Sequence, residues 1–123
     1  MLDVIAAEEL CVRADEIGIR IRDRLTAIAA RPGMDCIGEV RGLGAMNAIE
    51  LVTDRATNAP DAALTARLVA EAEARGLIIL SCGTRYNVIR LLPPLTIPMD
   101  QLDEALDILD ASLEAVAAQA AAA

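Results

Sequence analysis

The stretch LIILSCGTRYNVIRLLPP, Leu77 to Pro94, decides the fold. Two apolar runs, Leu77–Leu80 and Val88–Leu92, flank a polar segment carrying Gly83, Thr84 and Asn87, and this spacing predicts a hairpin with a longer loop. Pro93 and Pro94 have no amide hydrogen to give to a ladder, so the second run stops there as an interior strand. Arg90 lies within that run. A guanidinium stays charged, and taking it out of water costs several kcal/mol unless it is paired, so a buried strand here requires an anionic partner for Arg90. That partner is either internal, with Glu50 as a candidate acid, or a ligand.

Upstream, about Asp3–Ala30 has the composition and spacing of one long helix, with Leu10, Ala14, Ile17, Ile21, Leu25 and Ile28 along one stripe and Gly18 as a weak point. Within residues 1–31 nothing else interrupts it, and Arg31-Pro32-Gly33 ends it. Cys36–Arg41 and Ala45–Val52 read as strands joined at Gly42-Leu43-Gly44, a second antiparallel hairpin. Its glycines are read as turn chemistry in preference to close approach of a ligand. Asn58-Ala59-Pro60-Asp61 opens a middle helix with Leu64, Leu68 and Ala72 on its buried stripe, an Arg67–Glu71 pair on its surface and Gly76 at its end. A last helix starts between Thr96 and Asp100 and carries Leu102, Leu106, Leu109, Leu113 and Val116 on one face, with Asp103, Asp107, Asp110 and Glu114 opposite. Its alanine-rich end, residues 118–123, is expected to fray.

The order α-β-β-α-β-β-α predicts an α+β two-layer domain: an antiparallel sheet of about four strands, helices on one face and the other face open for docking. A chain of 123 residues is one domain with one core, and with Tyr86 as its only aromatic residue that core is aliphatic.

The net charge of −8 argues against a polyanion-binding surface, so nucleic acid is not an expected partner. Arg20, Arg22 and Arg24 read as solvated helix surface. Cys11, Cys36 and Cys82 have no CxxC spacing and the chain has no histidine, which removes mixed zinc sites and Cys-His or Ser-His nucleophiles. No long apolar span or signal-peptide pattern is present, and a membrane is not expected; the default is a reducing cytoplasm. All eleven basic residues are arginine. Without lysine the chain has no side-chain amine with which to form a Schiff base.

LIILSCGTRYNVIRLLPPLTI resembles the closing hairpin of the class III pyridoxal-phosphate aminotransferases, most closely that of their 4-aminobutyrate branch. EVRGLGAMNAIEL, Glu39 to Leu51, resembles the preceding glycine-turn hairpin, and ALDILDASLEAV the final helix, so the resemblance covers nearly the whole chain. It implies the carboxy-terminal small domain, residues 1–123, of a homodimeric enzyme that passes the amino group of 4-aminobutyrate to its cofactor and then to 2-oxoglutarate, giving glutamate. The pyridoxal phosphate and its lysine would belong to an upstream domain, and this chain would be inactive alone.

The resemblance also implies a role for Arg90, which stands at the arginine of the family's NVxR segment and would hold the substrate carboxylate. A planar guanidinium fork suits that task. Ser81, Cys82 and Gly83, with Thr84, lead to Arg90 and are weaker candidates for lining the substrate path, because a hairpin loop needs such residues for its own geometry. The competing reading is a free-standing α+β module that binds an organic acid, or a partner chain through its open sheet face.

Overall fold

The computed structural model describes residues 1–122, and Ala123 lies outside it. Along the chain come α1 (Leu2–Ala7), α2 (Leu10–Ala29), β1 (Ile37–Leu43), β2 (Met46–Leu51), α3 (Ala62–Ala74), β3 (Leu80–Cys82), β4 (Val88–Leu91) and α4 (Met99–Ala122). The strands form one antiparallel sheet in the order β1-β2-β4-β3, so each hairpin contributes its second strand to the centre. Helix α2 packs on β1 and β2, α3 on β2 and β3, and α4 on the two helices, leaving the far face of the sheet open. This is the expected α+β two-layer arrangement.

The expected single amino-terminal helix is divided. Glu9 adopts a left-handed conformation (φ 49°) and separates α1 from α2. No residue of α1 is buried, whereas α2 buries Ile17, Gly18, Ile21, Leu25 and Ile28. Helix continuity in a folded protein comes mainly from packing of an apolar face, and upstream of Leu10 there is none to enforce it. At the other end of the chain, α4 continues to Ala122 through most of the tail that composition marks for fraying.

Gly18 is the contact that seats α2 on the β1–β2 turn. A Cβ placed on it would overlap the Gly44 carbonyl oxygen and lie 2.7 Å from the carbonyl carbon. Gly44 has φ 55°, so the turn does use its glycine for backbone geometry, as the sequence reading holds. From α2, Arg22 donates to the Gly44 carbonyl (3.3 Å) and to Asn47 Oδ1 (2.8 Å), fastening the same junction.

The aliphatic core sits between sheet and helices. Ile49 and Leu51 of β2 and Ile89 of β4 meet Ile17, Ile21 and Leu25 of α2, Leu64 and Leu68 of α3, and Leu109 and Leu113 of α4, all buried. At the edge of the layer, the arginines read as solvated surface are engaged. Arg20 donates to Asp103 (2.8 and 2.6 Å) and Arg24 to Asp107 (2.5 Å) and Asp110 (3.3 Å). These pairs run between α2 and α4, which is why neither helix shows them in its own sequence.

The middle helix opens as expected, with one shift of role: Asp61 is the cap itself, its carboxylate accepting the Leu64 amide at 2.9 Å. Glu71 pairs with Arg75 (2.8 Å) and not with the expected Arg67, four residues on its other side. Leu77 to Ile79 precede the paired part of the second hairpin, because the Leu77 amide closes the end of α3 on the Ala72 carbonyl (2.8 Å).

Candidate functional site

Strand β4 places Arg90 by simple alternation. Ile89 points into the core and is fully buried, so Arg90 emerges on the open face, where it is exposed. It forms no hydrogen bond or ion pair with any described residue. The register fixes its neighbours: Arg90 lies opposite Ala48 on β2 and Leu80 on β3, and Ala48 lies opposite Arg41 on β1. Arg41, Ala48, Arg90 and Leu80 thus make one row across the sheet.

The adjacent row is Glu39, Glu50, Val88 and Cys82. Glu39 and Glu50 are direct cross-strand partners, and like charges in that relation repel. Arg41 resolves the conflict by donating to Glu39 at 2.9 Å and to Glu50 at 2.5 Å. A hydrogen bond shared with Glu39, followed by the one from Arg41, holds the Glu50 carboxyl below its usual range. Glu50 in turn holds Arg41 above the ordinary arginine value. The expected internal partner of Arg90 is therefore occupied elsewhere.

The strand that carries Arg90 has four residues, and its position depends on Asn87, which precedes it. The buried Asn87 side chain donates to the Leu51 carbonyl at 3.0 Å, and the backbone carbonyl of Asn87 accepts the Leu51 amide at 2.7 Å. A slip of one residue would turn Arg90 towards the helices, so these bonds at the mouth of the ladder set which face it serves. The loop before it turns through Gly83 (φ 87°) and Tyr86 (φ 55°).

Of the weaker candidates, Cys82 shares the face of Arg90, one row away and beside Val88. Ser81 pairs with Ile89 and belongs to the other side of the sheet, at its exposed edge. Gly83 supplies the turn, and a Cβ there would press on Val88 at 3.2 Å. Arg41 and Glu39 are residues that sequence reading did not single out, and Asn87 is read there only as loop. The alternation of Glu39 and Arg41 along β1 was visible, but their relation to Arg90 depends on the β2–β4 pairing between the two hairpins, for which no local signal exists.

A cleft of about 460 Å³ opens beside this row, between β3–β4 and α4. Its walls include the core residues Ile21, Ile79, Leu102, Leu106 and Leu109 of the helix side, and Arg90, which emerges on the open face, is its one charged lining residue. Around it the open face exposes Leu43, Met46, Ile78, Leu80 and Leu92. Among the described residues no group of His, Cys, Asp or Glu is placed to hold a metal ion, and no helix is long and apolar enough to cross a membrane. The arrangement is one exposed guanidinium, fixed on a rigid strand in apolar surroundings, suited to orienting an anion.

Comparison with known proteins agrees with this layout. Residues 1–113 match the family described as aminotransferase class-III. The chain is 50% identical over 109 residues to 4-aminobutyrate aminotransferase GabT of Escherichia coli K12, covering 89% of this chain and 25% of that protein. It is 47% identical over 109 residues to 5-aminovalerate aminotransferase DavT of Pseudomonas aeruginosa, with the same coverage. Among solved structures, a phospholyase from Arthrobacter in complex with phosphoethanolamine superposes with a TM-score of 0.81 at 34% identity, over 92% of this chain and 26% of that one. A Bacillus anthracis aminotransferase gives 0.82 at 28% identity, with the same coverage. The chain spans about a quarter of the length of these relatives. By the match over most of its length, it belongs to the class III aminotransferases.

Proposed function

We propose that this chain is the carboxy-terminal domain of a 4-aminobutyrate:2-oxoglutarate aminotransferase and that Arg90 is its carboxylate clamp. The observation that carries the reading is the state of Arg90: exposed, on a strand whose register is fixed, and without an internal partner although Glu50 stands nearby. An amino or oxo acid bound against the open face would present a planar carboxylate to a planar fork, and two parallel N–H···O bonds would fix both its position and its orientation. Identities near 50% to proteins named for 4-aminobutyrate support that donor, and 47% identity to one named for 5-aminovalerate sets the range of chain lengths to compare.

Class III aminotransferases use pyridoxal phosphate, and the residues present do not fit covalent attachment of that group. The chain contains no lysine, and no other side chain supplies the amine for a Schiff base. We therefore assign the cofactor and its lysine to an upstream domain of a larger, homodimeric, cytoplasmic enzyme, and assign to this domain the recognition of the substrate carboxylate. Ser81, Cys82 and Gly83, which lead to Arg90, are proposed as the weaker candidates for lining the substrate path.

The test is steady-state kinetics of Arg90→Ala and Arg90→Lys in the full-length enzyme. Charge-assisted hydrogen bonds contribute about 1.5–3 kcal/mol each, so losing a bidentate pair raises KM for 2-oxoglutarate by at least about a hundredfold. Lysine, a compact point charge, does not restore the fork. Cofactor content and its absorbance stay as in the wild type. Unchanged KM in both variants would remove the assignment.

A further inference from the structure

The residue opposite Arg90 carries one step beyond the carboxylate clamp, and it rests on that reading of Arg90. Ile49 of β2 is fully buried, so Ala48 beside it faces the open side, paired with Arg90 on one flank and Arg41 on the other. The Leu51 amide donates to the Asn87 carbonyl, which marks those two as a hydrogen-bonded pair. Such pairs alternate along an antiparallel ladder, so Ile49 and Ile89 are the next one, and Ala48 and Arg90 form a pair of the other kind, with Cα atoms about 4.5 Å apart and side chains closer together. Whatever stands at position 48 is therefore a direct neighbour of the Arg90 stem.

Alanine is an unexpected occupant of that place, because strands favour β-branched and aromatic residues. Packing against the helices does not demand a small side chain here, since the position lies on the face away from them, and no turn or bulge falls on it. Its smallness does have a consequence for Arg90. On the β3 flank Arg90 meets Leu80, and on the β2 flank it meets only a methyl group. A notch two strand spacings wide, about 10 Å, thus opens across β2 between the stems of Arg90 and Arg41.

We propose that Ala48 is a positioning residue for Arg90: its methyl group keeps this notch open, so that the guanidinium can lie towards β2 and meet the substrate carboxylate in the plane of its fork. A longer side chain at 48 fills the notch and turns the Arg90 stem away. The bidentate contact is directional, and a tilted fork keeps at most one of its two parallel bonds. Ala48 offers no polar group to the substrate, and its whole effect passes through Arg90.

The experiment is a size series, Ala48→Ser, Ala48→Val and Ala48→Leu, in the full-length enzyme, with Arg90→Met and Ala48→Leu/Arg90→Met beside it. It reads KM and kcat for 2-oxoglutarate, the Kd of glutarate by calorimetry, and Tm. Misplacing a positioned group by about 1 Å costs up to a hundredfold, so Ala48→Leu raises KM and the glutarate Kd about tenfold, Ala48→Val less, and Ala48→Ser no more than about twofold. The loss is one of binding, so kcat holds while KM rises. Tm does not fall in Ala48→Val, because valine suits a strand surface better than alanine. Weaker binding without weaker folding separates positioning from damage to the sheet. In the Arg90→Met background Ala48→Leu adds nothing, since the group it acts through is gone.

A KM that ignores the size of residue 48 overturns the proposal, as does an effect of Ala48→Leu that persists undiminished without Arg90. A loss of kcat and bound cofactor in step with KM overturns it too, because a distorted domain gives that pattern. If Ala48→Leu does not accumulate as folded enzyme, Ala48→Val and its double variant with Arg90→Met carry the same test. Arg90→Met keeps the two levels apart. A large loss of binding there together with no effect of Ala48→Leu refutes this inference alone, whereas no loss in Arg90→Met refutes the carboxylate clamp on which it rests.

Discussion

Replacing Gly18 by alanine sets local helix preference directly against packing. In the middle of a helix alanine is favoured over glycine by about 1 kcal/mol, so propensity alone predicts a more stable protein. The structure predicts the reverse. A Cβ on Gly18 would overlap the Gly44 carbonyl oxygen and stand 2.7 Å from its carbon, where non-bonded carbons prefer about 3.5–4.0 Å. The obstacle is backbone held in a turn, so it does not rotate away, and α2 must lift by about 1 Å. Overpacking of this kind costs about 1–3 kcal/mol. Lifting α2 also draws Arg22 away from Gly44 and Asn47, a loss of about 1 kcal/mol. After the propensity gain is subtracted, Gly18→Ala destabilises the fold by about 2 kcal/mol, which lowers Tm by about 8 °C for a chain of this size. Thermal unfolding followed by circular dichroism at 222 nm measures the difference. A Tm equal to or above that of the wild type would refute the reasoning and show that α2 does not sit on the β1–β2 turn.

Two further outcomes test other parts of the fold. Asp61→Ala leaves the Leu64 amide without its cap and lowers stability by about 1 kcal/mol in urea unfolding, while Asp61→Asn, which keeps an accepting oxygen, loses much less. The pairing of α2 with α4 is acid-sensitive. The hydrogen bond from Arg20 holds the Asp103 carboxyl below its ordinary value, so its stabilising contribution is fully present above the unfolded-state pKa of about 3.9 and is lost as pH falls through the lower folded value. Asp103→Asn removes that part of the acid dependence, and a titration of stability between neutral pH and pH 3 with the same slope in both proteins would contradict it.

The elements that were legible in the sequence are those whose signal is local. The stripe Leu102, Leu106, Leu109, Leu113 and Val116 specifies α4 because every member falls on one side of a 3.6-residue turn, and all five are buried. The two hairpins follow from their glycines, and helices on one side of the sheet from the element order. What was hidden depends on contacts between distant segments. Nothing in either hairpin states that β2 and β4 pair, and without that pairing Arg41, Glu50 and Arg90 do not share a surface. The Arg20–Asp103 and Arg24–Asp107 pairs need the approach of α2 to α4, which periodicity alone does not determine. Gly18, read from its own helix, is a defect; read with Gly44, it is the place where helix and turn come closest. Arg90 was legible as a charge in an apolar run, and its exposure on the open face explains how that run tolerates it.

The most direct test of the central claim is a crystal structure of the full-length enzyme with glutarate bound. The account predicts one carboxylate of the ligand on Arg90, both oxygens engaged by the fork at about 2.7–2.9 Å, with Glu50 still on Arg41. A ligand whose carboxylates are held entirely by other residues, with Arg90 closed on an acid of the protein, would contradict it.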